Sequence, residues 1–248
     1  MPVILSKWSL LVSLVLLVLC WPAKAGDVSD CEGNNLNRKI AACSRLIQSG
    51  LLDGKALASA HNNRGVGLIR TGRNTLAIAE FDAAIRVDPK HYKARINRGS
   101  AYVENGQLDK ALSDYNTAIQ LKPDLAGAYD RRGIVYFLKG EFKSALADLN
   151  KAIDLDPNVA LIYNNRGVVH ENMGLVKQAI ADYRKALEID PSFGLAKINL
   201  LSLLGDAVGA SMSDNGSTRP AERGWKSSLV PLSTLNSVRF GLRARPLH

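Results

Sequence analysis

The chain has 248 residues, 22% of them charged and 46% hydrophobic, and a formal net charge of +9. The charge is spread as +2 over residues 1–25, 0 over 26–57, +4 over 58–205 and +3 over 206–248, with no dense Lys/Arg run, which argues against a nucleic-acid-binding surface. The length suffices for one elongated repeat domain or one large globular domain.

At the N-terminus, Lys7 precedes an apolar run from Trp8 to Trp21, followed by Ala23-Lys24-Ala25. A basic start, an apolar middle and small residues before a cut predict a signal peptide over residues 1–25 and a mature chain starting at Gly26. The alternative, a retained membrane anchor, needs about 20 apolar residues, more than this run holds. Cys20 follows Leu17-Val18-Leu19 rather than a small residue, so no lipid anchor is expected. Export takes away Lys7 and Lys24 and leaves a mature charge of +7. No later stretch is apolar and long enough for stable membrane insertion.

The segment 26–57 holds the two cysteines of the mature chain, Cys31 and Cys43. An even pair in an oxidising compartment is expected to be bridged. The alternative makes Cys43 a small core residue and Cys31 a loose thiol. No His or third Cys stands at ligand spacing, so no metal is expected. Residues 38–48 read as an amphipathic helix with Ile40, Cys43, Leu46 and Ile47 on one face, ended by Ser49-Gly50. The residues before it read as extended.

From residue 58 the chain repeats itself. Gly65, Gly99, Gly133 and Gly167 form one column; Ala77, Ala111, Ala145 and Ala179 a second; Ala84, Ala118, Ala152 and Ala186 a third; Pro89, Pro123, Pro157 and Pro191 a fourth, each with a spacing of 34. Small residues at fixed places let two helices approach closely, and the Pro ends the second helix. Apolar residues between the columns recur at helical spacing, as in Ala111, Tyr115, Ala118 and Ile119. Each unit is predicted to be a helical hairpin.

This unit resembles the tetratricopeptide repeat, with Gly at its eighth position, Ala at its twentieth and twenty-seventh and Pro at its thirty-second. Phe81, Tyr115, Leu149 and Tyr183 occupy the twenty-fourth, and Leu68, Tyr102 and Tyr136 the eleventh, where His170 departs from the pattern and reads as a core-edge residue. The resemblance covers residues 58–193 as four repeats, 58–91, 92–125, 126–159 and 160–193. It implies an all-α fold, a right-handed superhelical solenoid of helical hairpins with flanking capping helices. The 38–48 helix resembles the second helix of a degenerate repeat, with Cys43 in the aromatic's place.

The chain departs from the family at the seventh position, where Arg64, Arg98, Arg132 and Arg166 replace the common Leu. Each is followed 16 residues later by an acid: Glu80, Asp114, Asp148 and Asp182. The preferred reading is an ion pair inside each hairpin; the alternative is an arginine ladder for an acidic ligand.

The resemblance also implies a concave groove lined by the first helices. Candidate partner-binding residues are Asn62, Val66 and Arg70 in the first repeat and Lys93, Ile96, Ser100 and Glu104 in the second. Asp130, Ile134 and Phe137 follow in the third, and Leu161, Asn164, Val168 and Glu171 in the fourth. Apolar anchors with charged and amide groups suit an extended peptide or a partner helix. For Val66, Ile134 and Val168 the alternative is packing against a neighbouring helix. Family members that grip a C-terminal carboxylate use five polar groups, of which Asn97 and Arg131 match while Asn62, Val66 and Gly127 do not, so that mode is not expected.

Residues 194–205 read as a capping helix carrying Leu195, Ile198, Leu200, Leu201 and Leu204. It is more apolar than a typical cap, which suits either a poorly covered end or a dimer contact. Residues 206–248 lose periodicity and read as a disordered basic tail with apolar islands at Leu229-Val230 and Val238–Phe240.

No phosphate loop, His-Glu-x-x-His or nucleophile-elbow motif is present, and the four His are isolated, so neither catalysis nor a cofactor is expected. The expected role is a non-enzymatic adaptor, periplasmic or extracellular, holding a protein or peptide in the groove. The alternative is a binder of an anionic envelope polymer or lipid surface through the tail and the Arg columns. Moderate salt separates the two, because only the second collapses when charges are screened.

Overall fold

A computed structural model describes residues 23–213, with side chains to residue 205; the proposed signal run and the tail beyond Ser213 lie outside the described residues. Among the described residues there are eleven α-helices and no strand. They are α1 (Asp27–Glu32), α2 (Leu36–Gln48), α3 (Gly54–Arg70), α4 (Asn74–Val87), α5 (Tyr92–Glu104), α6 (Leu108–Leu121), α7 (Ala126–Leu138), α8 (Phe142–Leu155), α9 (Ala160–Asn172), α10 (Val176–Ile189) and α11 (Gly194–Ser213). The chain divides into two compact units, one ending at Asn105 and one starting at Gly106.

The local rules of the repeat are visible at its turns. Gly72, Gly106, Gly140 and Gly174 take φ of 76°, 71°, 78° and 74°, a left-handed conformation that side chains disfavour. They let the first helix of a hairpin close in a Schellman motif: Glu141 N donates to Tyr136 O at 2.8 Å and Gly140 N to Phe137 O at 2.9 Å. At the other end each second helix stops two residues before the Pro column. Where an Asp precedes that Pro, its carboxylate accepts from an amide of the turn that follows: Asp88 Oδ1 accepts from Lys90 N at 3.0 Å and Asp190 Oδ1 from Ser192 N at 2.9 Å.

In the first unit α1 and α2 form a short hairpin that caps α3. The segment read as extended is thus helical from Asp27 to Glu32. Cys31 and Cys43 are bridged, with Cα atoms 4.8 Å apart, and the bridge is buried with Ala42, Leu46 and Ala60. Arg45 clasps buried Asp27 with Nε at 3.0 Å from both carboxylate oxygens, and the guanidinium holds that carboxyl below its ordinary range. The cap does what open repeat ends require, since an uncovered terminal hairpin would expose its core. Helix α3 starts at Gly54, earlier than the repeat boundary at residue 58.

In the second unit α7 packs on α8, α9 on α10, and α11 on α10 and α9. Ala145, Ala152, Ala179 and Ala186 are fully buried where the helices approach, and Leu149 and Tyr183 fill the space between them. Helix α11 continues through Ser213, past Gly205, so the tail expected from residue 206 begins as helix. Its buried residues Ala196, Asn199 and Leu203 stand 34 places after Ile162, Asn165 and Val169, which are buried in α9. Helix α11 therefore packs on α9 and α10 in the register of a further first helix.

Candidate functional site

The arginine column lies on the seam between helices. Arg132 donates to Asp148 from Nε and Nη2, both at 2.7 Å, a bidentate pair. Arg166 repeats this on Asp182 with Nη2 at 2.6 Å, and Arg64 Nη2 lies 2.6 Å from Glu80. His61 Nδ1 is 2.8 Å from Glu80 and His170 Nδ1 is 2.8 Å from Asp182. Burial alone would raise the Glu80 carboxyl, but the hydrogen bonds from His61 and Arg64 outweigh it and hold the group below its ordinary value.

A second acceptor column, which the sequence reading does not single out, completes the seam. Arg132 Nη1 donates to Asn116 at 2.7 Å, Arg166 Nη1 to Asn150 at 2.8 Å and Arg98 Nη1 to Asp82 at 2.5 Å. These partners stand 16 residues before the Arg, on the second helix of the preceding hairpin. Arg64 reaches Ser44 on α2 in the same way, at 3.3 Å. Each of these guanidinium groups therefore ties its own repeat to the one before it. The signal is present in the sequence as the 34-residue spacing of Asp82, Asn116 and Asn150. Tyr129 and Tyr163 have their ring centroids 5.5 Å from the Arg132 and Arg166 guanidinium carbons, which adds cation–π attraction. Carboxylates and amides of the seam thus engage each of these guanidinium groups.

The candidate groove residues separate into two sets. Asn62, Val66, Ile96, Asp130, Ile134, Phe137, Asn164 and Val168 are buried. The reason is close packing of neighbouring first helices within each unit, which turns these positions towards the adjacent helix. Asn62 Oδ1 accepts from Asn97 Nδ2 at 3.0 Å, Asp130 Oδ1 from Asn165 Nδ2 at 2.7 Å and Asn164 Oδ1 from Asn199 Nδ2 at 2.9 Å, each across a separation of 35. These amides and carboxylates set the register of neighbouring helices. Ile134, Phe137 and Val168 belong to one apolar cluster with Leu149 and Tyr183. Burial pushes the Asp130 carboxyl above its ordinary value, against the smaller opposing effects of Asn165 and Arg131.

Arg70 and Glu104 are exposed, and Lys93, Ser100, Leu161 and Glu171 are partly accessible. Glu104 accepts from Asn74 Nδ2 at 2.7 Å, Ser100 Oγ donates to Ile96 O at 3.1 Å and Glu171 accepts from the Tyr183 hydroxyl at 2.7 Å. Among the described residues no three His, Cys, Asp or Glu side chains gather as a metal site, and no helix is long and apolar enough to cross a membrane.

Comparison with known proteins agrees with this architecture. No curated protein sequence matches the chain significantly. Among solved structures, MamA is 26% identical, with a TM-score of 0.51 over 58% of this chain and 85% of its own. A thermophilic TPR protein of Thermus thermophilus is 23% identical, with a TM-score of 0.59 over 68% of this chain and 90% of its own. YrrB, described as a TPR protein with an unusual peptide-binding site, is 23% identical, with a TM-score of 0.52 over 65% of this chain and 81% of its own. Models of the tetratricopeptide repeat match residues 58–91, 80–113 and 160–193, and a model of the TPR repeat matches 99–140 and 133–174. Since these matches together span 58–193, more than half of its length, the chain belongs to the tetratricopeptide-repeat family, whose fold is a scaffold for protein–protein interaction.

Proposed function

We propose that the chain is an exported, non-enzymatic adaptor of the cell envelope that holds a peptide or partner protein on the first-helix faces of its repeats. The observation that carries this reading is the run of family-matched hairpins over residues 58–193, the repeat that scaffolds protein–protein interaction. Its first helices keep charged and apolar side chains accessible: Arg70, Lys93, Ser100 and Glu104 in the first unit, Leu161 and Glu171 in the second. That mixture suits a partner anchored by apolar contact and oriented by polar groups. Export is supported by the basic-apolar-small pattern of residues 1–25 and by the Cys31–Cys43 bridge, which belongs to an oxidising compartment.

The test is capture from an envelope extract with the mature chain, residues 26–248, beside a Lys93→Glu/Leu161→Asp variant. Both positions are accessible, so the variant keeps its helical content, checked by circular dichroism. A partner held by the parent at moderate salt and lost by the variant supports the adaptor reading. Equal capture by both refutes placement on the first-helix faces.

A further inference from the structure

A buried lysine of the first unit lacks an acceptor. Lys39, on α2, is 2% exposed, and among the described residues its ammonium has no hydrogen bond or close ion pair. The enclosure follows from Gly67. Its counterparts at the 34-residue spacing are Ala101, Val135 and Val169, all fully buried, whereas a Cβ on Gly67 would lie 2.7 Å from Ile40 Cγ1. Helix α2 thus lies closer to α3 than a side chain there permits, and the stem of Lys39, beside Ile40, is enclosed. An ammonium buried only for the sake of the fold is hydrogen-bonded, because an unpaired buried charge costs stability.

Two further charges act on this one, Glu32 at the end of α1 and Arg70 at the end of α3. Both residues are exposed, so the ammonium faces the edge of the unit at which α1 and α3 end. Burial pushes it below its ordinary value, repulsion from Arg70 adds to this, and the smaller attraction of Glu32 opposes it. Two cations against one carboxylate leave a local excess of one positive charge. Arg70 already belongs to the accessible first-helix residues.

We propose that Lys39 and Arg70 form a site for one carboxylate group of the peptide or protein that the first helices hold. The carboxylate supplies the acceptor that the ammonium lacks, and its two oxygens match the planar donors of an Arg. The charge count selects a carboxylate over a phosphate group: one negative charge balances the site, whereas the −1.5 to −2 or so of a phosphate group overfills it beside Glu32. The identity of the carboxylate's bearer rests on the adaptor reading; the site itself is testable without a partner.

The test titrates the 15N-labelled mature chain with sodium acetate against sodium chloride at constant ionic strength and follows the amide resonances of residues 36–40 and 67–72. Saturable shifts are expected with acetate. Lys39→Met is expected to abolish them, and Arg70→Gln, a change at an exposed position that keeps the fold, to weaken the response at least about fivefold. Shifts that never saturate, or a response that Arg70→Gln or a folded Lys39→Met leaves unchanged, overturn the site. Tighter saturation by inorganic phosphate than by acetate overturns its assignment to a carboxylate. Because no partner enters this titration, its failure leaves the capture experiment free to support the adaptor reading.

Discussion

Replacement of Gly167 by Ala isolates the closest contact between the two helices of its hairpin. The new Cβ would lie 2.6 Å from Tyr183 Cε1 and 2.8 Å from Cδ1, inside van der Waals contact. The ring has no room to swing, because Tyr183 is fully buried and its hydroxyl donates to Glu171 at 2.7 Å. Overpacking of this kind costs about 1–3 kcal/mol. Ala is favoured over Gly inside a helix by about 1 kcal/mol. Gly167→Ala is therefore expected to destabilise the chain by up to about 2 kcal/mol. Gly133 supplies the control, since a Cβ there meets Leu149 Cγ at 3.1 Å and Ala145 O at 3.2 Å, contacts that ease with shifts of tenths of an ångström. There the helix-propensity gain offsets the crowding, and Gly133→Ala is expected to be near neutral. Urea denaturation followed by circular dichroism measures both, and hydrogen exchange in α9 and α10 localises the loss. Tyr183→Leu, which copies the Gly133–Leu149 pair, should suppress most of the Gly167→Ala defect. Equal stability of the two Gly→Ala variants would refute the assignment of Gly167 to ring packing.

Other consequences are testable with the same methods. Arg132 makes three hydrogen bonds to two different hairpins, so Arg132→Met is expected to cost about 2 kcal/mol, and Arg132→Lys to recover less than half of it because an ammonium cannot bond both partners in the planar fork. Cys31→Ser/Cys43→Ser opens a loop closed across a separation of 12, which predicts a loss of about 3 kcal/mol, seen as faster amide exchange in α1 and α2 and not in α8 to α10. Asp130 has its carboxyl raised by burial above an ordinary value of 3.8, so between the unfolded and folded values the folded chain binds more proton than the unfolded chain does. Its contribution is favourable below the unfolded value and is lost as pH rises through the folded value. Asp130→Asn should flatten that decline and stabilise the chain at neutral pH by about 1–3 kcal/mol, with the new amide also satisfying Asn165 Oδ1, which is buried without a partner. A stability–pH profile of the variant parallel to the parent's would sink this account.

Much of the fold was legible because a repeat announces its own constraints. The Gly, Ala and Pro columns read as hairpins, and helices occupy those places for the physical reasons that make the residues recur: close approach and helix arrest. The left-handed glycines at 72, 106, 140 and 174 are equally periodic, yet their role emerges only with their positive φ, which turns each first helix back. The capping segment is harder to read. Helix α1 is only six residues long, too short for periodicity to show, and it is pinned to its partner by the bridge and by the Asp27–Arg45 clasp.

The candidate site divides along the same line. That Arg64, Arg132 and Arg166 face an acid 16 residues later follows from two antiparallel helices in one hairpin, a geometry the repeat register contains. Their other arms, and the pairing of Asn62 with Asn97 or Asp130 with Asn165, join residues of different repeats. Sequence periodicity determined which helix faces are apolar and where each hairpin turns. Which of those faces turns to solvent and which to the next helix was decided only by the stacking of one hairpin on another, because burial is a property of the neighbour a residue meets and not of the residue itself.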